Sequence, residues 1–207
     1  MKRLTDIEWF SGIYKDIYKI LSIDSRLPDA SDIFILEDCD LTQLPPENVK
    51  GFALNQGEKR IWFRDTPPDP ITFAHELIHC CKKLSNVYEE IYGYNLASFV
   101  VLLAELSITP KKNPLTLFED VTLDKLLNAI NRVYRYNFRS VVEYFVFLGI
   151  IPQFVDISWN AEGELVATID KSASERDIVV SFVTELAAGA RYDPLMLNVL
   201  LTLLEDP

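Results

Sequence analysis

Both histidines of this 207-residue chain fall inside one segment, ITFAHELIHCC (residues 71–81), as His75-Glu76-Leu77-Ile78-His79. A random chain with two histidines reproduces this spacing and the glutamate after the first roughly once in a thousand times, so the H-E-x-x-H match carries weight. At about 100° per residue, His75 and His79 stand about 40° apart on a helix. Two imidazoles one turn apart can hold one zinc ion from the same direction. Glu76 lies beside them, placed to take a proton from a water without itself becoming a ligand. Phe73, Ala74, Leu77, Ile78, Cys81 and Leu84 form an apolar stripe on the other side. The histidines are therefore expected to face a cleft and not the core.

A catalytic zinc ion takes a third protein ligand, and no histidine remains to supply it. A carboxylate must come from the next helix, which offers Glu89, Glu90 and Glu105. If the first helix ends near Lys83 and turns through 84–86, a returning antiparallel helix regains the level of His79 at 90 or 91. Glu105 lies roughly 22 Å further on at 1.5 Å per residue, too far unless 84–97 is loop. Asn86-x-x-Glu89 has the form of a capping box, which engages Glu89 at the helix start. Glu90 instead shares a face with the small residues Gly93, Ala97, Val101 and Ala104, along which two helices can approach closely. Glu90 is the chosen ligand, with Glu89 the next candidate. Cys80 and Cys81 are set aside: Cys81 belongs to the apolar stripe, Cys80 points away from the metal direction, and spaced thiolate pairs are absent.

The elements that must position these residues can be read around them. Thr5-Asp6-Ile7-Glu8 resembles a capping box, and Ile7, Phe10, Ile13, Ile17 and Leu21 continue at helical spacing, so a first helix is expected over about 5–22. Residues 33–36 read as a short strand. Residues 51–54 and 59–64 read as a hairpin around the turn 55–58. Asp69 is the expected N-cap, and Pro70 the first residue, of the helix that carries the histidines to about Leu84. A second helix follows from 85 or 86 to 109. Beyond Pro110–Pro114, helices are expected near 122–135 and 139–149, a hairpin at 155–159 and 164–169, a helix capped by Ser172-x-x-Glu175, and a last helix over 194–204. The expected fold is α+β: an N-terminal helix, a small mixed or antiparallel sheet and the His-Glu-His helix, then a mainly helical half with a β-hairpin. The expected domains are 1–110, holding the site, and 111–207, with no evident chemistry of its own. The two are expected to face each other across the metal cleft.

Composition narrows the function classes. With 49% apolar residues the chain can bury a sizeable core, and its net charge of −11 argues against a nucleic-acid partner. The start, MKRLTDIEWF, has no long apolar run after its basic residues, and no uncharged stretch reaches the ~18 residues of a membrane helix. Cys39, Cys80 and Cys81 are an odd number, two of them adjacent, which favours a reduced, cytoplasmic setting.

The stretch from Gly51 to Ala97 resembles the gluzincin metallopeptidases, and most of all the ImmA/IrrE group and similar minimal gluzincins. Ile61-Trp62-Phe63 matches their edge strand, Ile71-Thr72-Phe73-Ala74-His75-Glu76-Leu77-Ile78-His79 their active-site helix, and Glu90-x-x-Gly93 with Ala97 the helix that follows. The gap from His79 to Glu90 is shorter than in that family, and Tyr94 replaces its asparagine. The resemblance implies a zinc-dependent peptidase acting on peptide or protein substrates, with His75, His79 and Glu90 as ligands and Glu76 as general base. Related sites add a tyrosine or histidine at the oxyanion, which here leaves Tyr92, Tyr94, Tyr134 and Tyr136. The strand Lys59–Arg64 would be the exposed edge on which an extended peptide pairs. The competing reading is a non-catalytic metal-binding or regulatory domain on the same fold. The intact Glu76 speaks against it, since a structural zinc ion needs no general base.

Overall fold

A computed structural model describes residues 1–55 and 57–205 of the chain. It is α+β, and it divides into two compact units, Met1–Pro114 and Leu115–Pro207.

In the first unit, β1 (Lys2–Arg3), β2 (Ile33–Leu36), β3 (Gly51–Leu54) and β4 (Lys59–Phe63) form one mixed sheet in the order β1-β2-β4-β3. The β3–β4 hairpin is antiparallel as expected, with Ala53 opposite Ile61 and Phe52 opposite Trp62. Of its turn, Gln56 lies outside the described residues. β2 pairs with the other side of β4 in parallel, Ile35 opposite Ile61. The strand Lys59–Phe63 is therefore interior and not the exposed edge expected from the sequence. Its consecutive buried Ile61, Trp62 and Phe63 have the unbroken apolar character of a strand covered on both faces. The edges of the sheet are the two-residue β1 and β3, whose residues remain partly exposed.

The helix expected from residue 5 begins later. Leu4–Asp6 make a single 3-10 turn, and α1 runs from Ile13 to Leu21. Gly12 stands at φ 51°, a conformation that ends helical continuity, and it leaves Trp9 free to pack edge-on against Tyr14, Phe63 and Phe73 at 5.0, 6.1 and 5.8 Å. Two long helices complete the unit: α2 (Pro70–Cys81) and α3 (Val87–Glu105). The apolar run Leu96–Ala104 lies in α3 and is almost wholly buried. No helix of the described residues is long and apolar enough to cross a membrane.

The second unit contains α4 (Thr116–Glu119), α5 (Leu123–Tyr134), α6 (Val141–Phe147), the antiparallel hairpin β5 (Val155–Trp159) with β6 (Leu165–Ile169), α7 (Glu175–Gly189) and α8 (Pro194–Glu205). Phe145 stacks on Phe182 at 4.9 Å in its core. The sequence did not signal the one-turn α4. The cap of α7 is Ser174, which accepts from the Asp177 amide, and not Ser172, which instead donates to Asp170.

Candidate metal centre

The site is built from α2 and α3. Asp69 caps α2, its carboxylate accepting from the amides of Ile71 and Thr72 at 3.0 and 3.2 Å, and Pro70 opens the helix. Thr72 adds a hydroxyl hydrogen bond to the same carboxylate. The Tyr14 hydroxyl donates to the Pro68 carbonyl at 2.6 Å and ties the preceding loop to α1. At the other end, the Asn55 side chain donates to the His79 carbonyl at 2.6 Å, joining the end of β3 to the last turn of α2. Both ends of the histidine helix are thus held by side chains from outside it.

The polar side of α2 is not open. His75 and Glu76 are buried as deeply as the apolar stripe, and Cys80 is buried while Cys81 is only partly so. The reason is that β3 and α3 close on that side. A Cβ on Gly51 would lie 3.2 Å from the Glu76 and Thr72 side chains, so the strand passes directly over the general-base candidate. A Cβ on Gly93 would lie 2.6 Å from Leu84 and 3.2 Å from the His75 ring. Only glycine allows α3 to approach this closely. The Tyr94 ring then stacks on His75 at 4.2 Å.

Three atoms converge. His75 Nε2 lies 3.1 Å from His79 Nε2 and 3.1 Å from Glu90 Oε2, and His79 Nε2 lies 3.4 Å from the same oxygen. Tetrahedral zinc with ligands at 2.0–2.1 Å places neighbouring donor atoms roughly 3.3 Å apart, so the triangle has the size of a zinc face. Glu89 is engaged elsewhere: its carboxylate accepts from the Ser85 amide, while Asn86 caps the Glu89 amide at 3.0 Å. Glu105 ends α3 and, among the described residues, belongs to no group of three converging donors. A second group, Glu37, Cys39 and Asp40, lies at the surface, where Lys2 pairs with Glu37 and the N-terminal amine with Asp40.

Burial dominates the electrostatics. It lowers the pKa of His75, with the neighbouring His79 acting in the same sense and Glu90 opposing, and it lowers that of His79 against Glu90. It pushes Glu76 up to about 8, helped by the Glu90 charge. Both neutral imidazoles are therefore in the state a metal requires. A cation held by these side chains would oppose that rise and favour ionised Glu76. Burial also pushes Cys80 and Cys81 up to about 12, which keeps them as thiols and away from thiolate ligation. His75 Nδ1 and Glu76 Oε2 are buried without a hydrogen-bond partner. Against the effect of burial, the Gly93 backbone favours the protonated His75 ring. Buried polar atoms without a partner are rare in folded proteins, and both of these fall on the helix that carries the histidines.

Of the four tyrosines considered for the oxyanion, Tyr92 and Tyr94 belong to α3, and Tyr94 lies against the His75 ring. Tyr134 and Tyr136 belong to the second unit, where they contact Tyr144 and Phe138. Sequence reasoning did not find the stacking of Tyr94 or the Asn55 clamp. The signal for Tyr94 was its spacing, four residues after Glu90 and on the same helical face. Compared with family models, curated proteins and solved structures, the chain gives no match.

Proposed function

We propose that the chain is a zinc-dependent metallopeptidase of gluzincin type, hydrolysing peptide bonds in peptide or protein substrates. The observation that carries this reading is the triangle of two imidazole nitrogens and one carboxylate oxygen, 3.1–3.4 Å on a side, beside a buried glutamate with an unpartnered oxygen. In the absence of a cation a proton on an imidazole nitrogen must bridge these atoms; a metal ion can take its place and engage all three at once. His75, His79 and Glu90 would hold the zinc, which supplies Lewis acidity to polarise a carbonyl and to acidify water.

Glu76 takes the proton from the attacking water and passes it to the leaving amine. Its burial serves this role, because a carboxylate with raised proton affinity is a stronger base. Tyr94 and Gly93 fix the His75 ring from the α3 side, and the open edge of β3 passes over Glu76, where an extended peptide can pair with it.

The test joins metal analysis of the wild type and Glu90→Ala with a casein or peptide-library digest. Zinc at one equivalent, lost in Glu90→Ala, together with zinc-dependent cleavage is the expected result. Bound zinc with no turnover of any library would favour a non-catalytic metal-binding protein instead.

A further inference from the structure

A cavity of ≈ 670 Å³ opens beside the ligand triangle, lined by Ala53, Leu54, Asn55, Arg60, His79 and Lys83. Its volume falls in the range of small-ligand sites. His79 belongs both to its wall and to the triangle, so a group seated in the cavity lies next to the reacting bond. The floor is fixed where Asn55 donates to the His79 carbonyl.

The charge of the lining is unlike that of the chain. Two of the lining residues, Arg60 and Lys83, are cationic and none is acidic, in a protein of net charge −11. Lys83 is exposed. Arg60 pairs with Glu58 at 2.9 Å, with 44% and 55% of the two side chains exposed. A pair so open to water contributes little and yields to a better-placed acceptor. A planar guanidinium and an ammonium on the same lining are a donor set suited to a carboxylate.

We propose that this cavity receives a carboxylate of the substrate, so that the preferred peptides carry an acidic group next to the bond that is cut. The carboxylate comes either from an Asp or Glu side chain or from the substrate's C-terminus. This specificity rests on the hydrolase reading above.

The experiment uses the full chain and short acetylated peptides with Glu or Gln at each position in turn, C-terminally free or amidated. Binding is measured on zinc-loaded Glu76→Gln protein, and cleavage on the wild type. Each is repeated with Arg60→Gln/Lys83→Gln, whose thermal unfolding confirms the fold. The charged peptides should bind and turn over about tenfold better than their neutral counterparts. The advantage should shrink with salt and vanish in the double substitution. An advantage that follows Glu over Gln assigns the side chain as the source, and one that follows the free terminus assigns the C-terminus. Equal treatment of charged and neutral peptides, or a preference that survives the double substitution, overturns the proposal. Charge-dependent binding without cleavage would retain the carboxylate site and remove the hydrolase reading; cleavage indifferent to charge would do the reverse.

Discussion

Glu76 and Glu90 are both carboxylates at one site, and their surroundings differ. Glu90 is partly exposed and turned toward two imidazole nitrogens, as a ligand must be. Glu76 is buried, its pKa is raised, and one of its oxygens lacks a partner. Glu76→Gln is therefore expected to keep zinc and fold while losing hydrolysis by at least a hundredfold; near-wild-type turnover would remove Glu76 as the base. Glu90→Ala should abolish tight zinc binding, whereas Glu89→Ala should cost only the helix-start contact, about 1 kcal/mol, and Glu105→Ala should leave the metal in place. Zinc content after dialysis against a weak chelator ranks the three.

Acidity acts on the same residues with a definite sign. The lowered histidine pKa values mean that the zinc-free protein loses stability as pH falls below 6.5, where the unfolded chain binds protons that the folded one resists. The raised Glu76 value works oppositely: its contribution is full below about 4.5 and is lost as pH rises toward about 8. Melting temperature against pH in chelator should fall away on both sides, and zinc should flatten the upper limb. A chelated protein whose stability rises steadily from pH 5 to 8 would contradict the Glu76 assignment.

At the scale of elements, the site depends on how closely α3 approaches α2. Gly93→Ala forces a methyl against Leu84 and the His75 ring. The Leu84 end can swing away, but the ring is held between that methyl and Tyr94. Zinc affinity should therefore drop more than stability does. Asp69→Ala is the useful contrast, because it removes the α2 cap at about 1 kcal/mol in stability with the ligand atoms untouched. Calorimetric zinc titrations beside thermal melts separate the two effects. Equal losses of affinity in both variants would mean that helix placement, and not ring crowding, limits the metal.

Across the whole molecule, every residue of the triangle and its supports lies in Met1–Pro114. A ligand that binds only the native state stabilises it by about 4 kcal/mol at a thousand times its dissociation constant. Zinc is expected to slow amide exchange chiefly in α2, α3 and β3. The helices of Leu115–Pro207 should respond only as far as the two units unfold together. Exchange measured with and without zinc maps this, and protection centred on α5 to α8 would relocate the metal site.

The sequence alone determined what depends on near neighbours. The His75–Glu76–His79 face, the Asp69 cap with Pro70, the β3–β4 and β5–β6 hairpins and the placement of Glu90 against Glu89 all follow from helical pitch, capping chemistry and alternation. Long-range packing decided the rest. Strand Lys59–Phe63 became interior because β2, from a distant part of the chain, pairs with it; its charged first residues read locally as an edge. The first helix started late because Gly12 at positive φ interrupts the helical spacing, and Trp9, freed by that break, finds partners on β4 and α2 that no local pattern records. The polar face of α2 was covered because a glycine on β3 and another on α3 permit contact at the distance of a missing side chain, and a short residue carries no sign of what will lie against it.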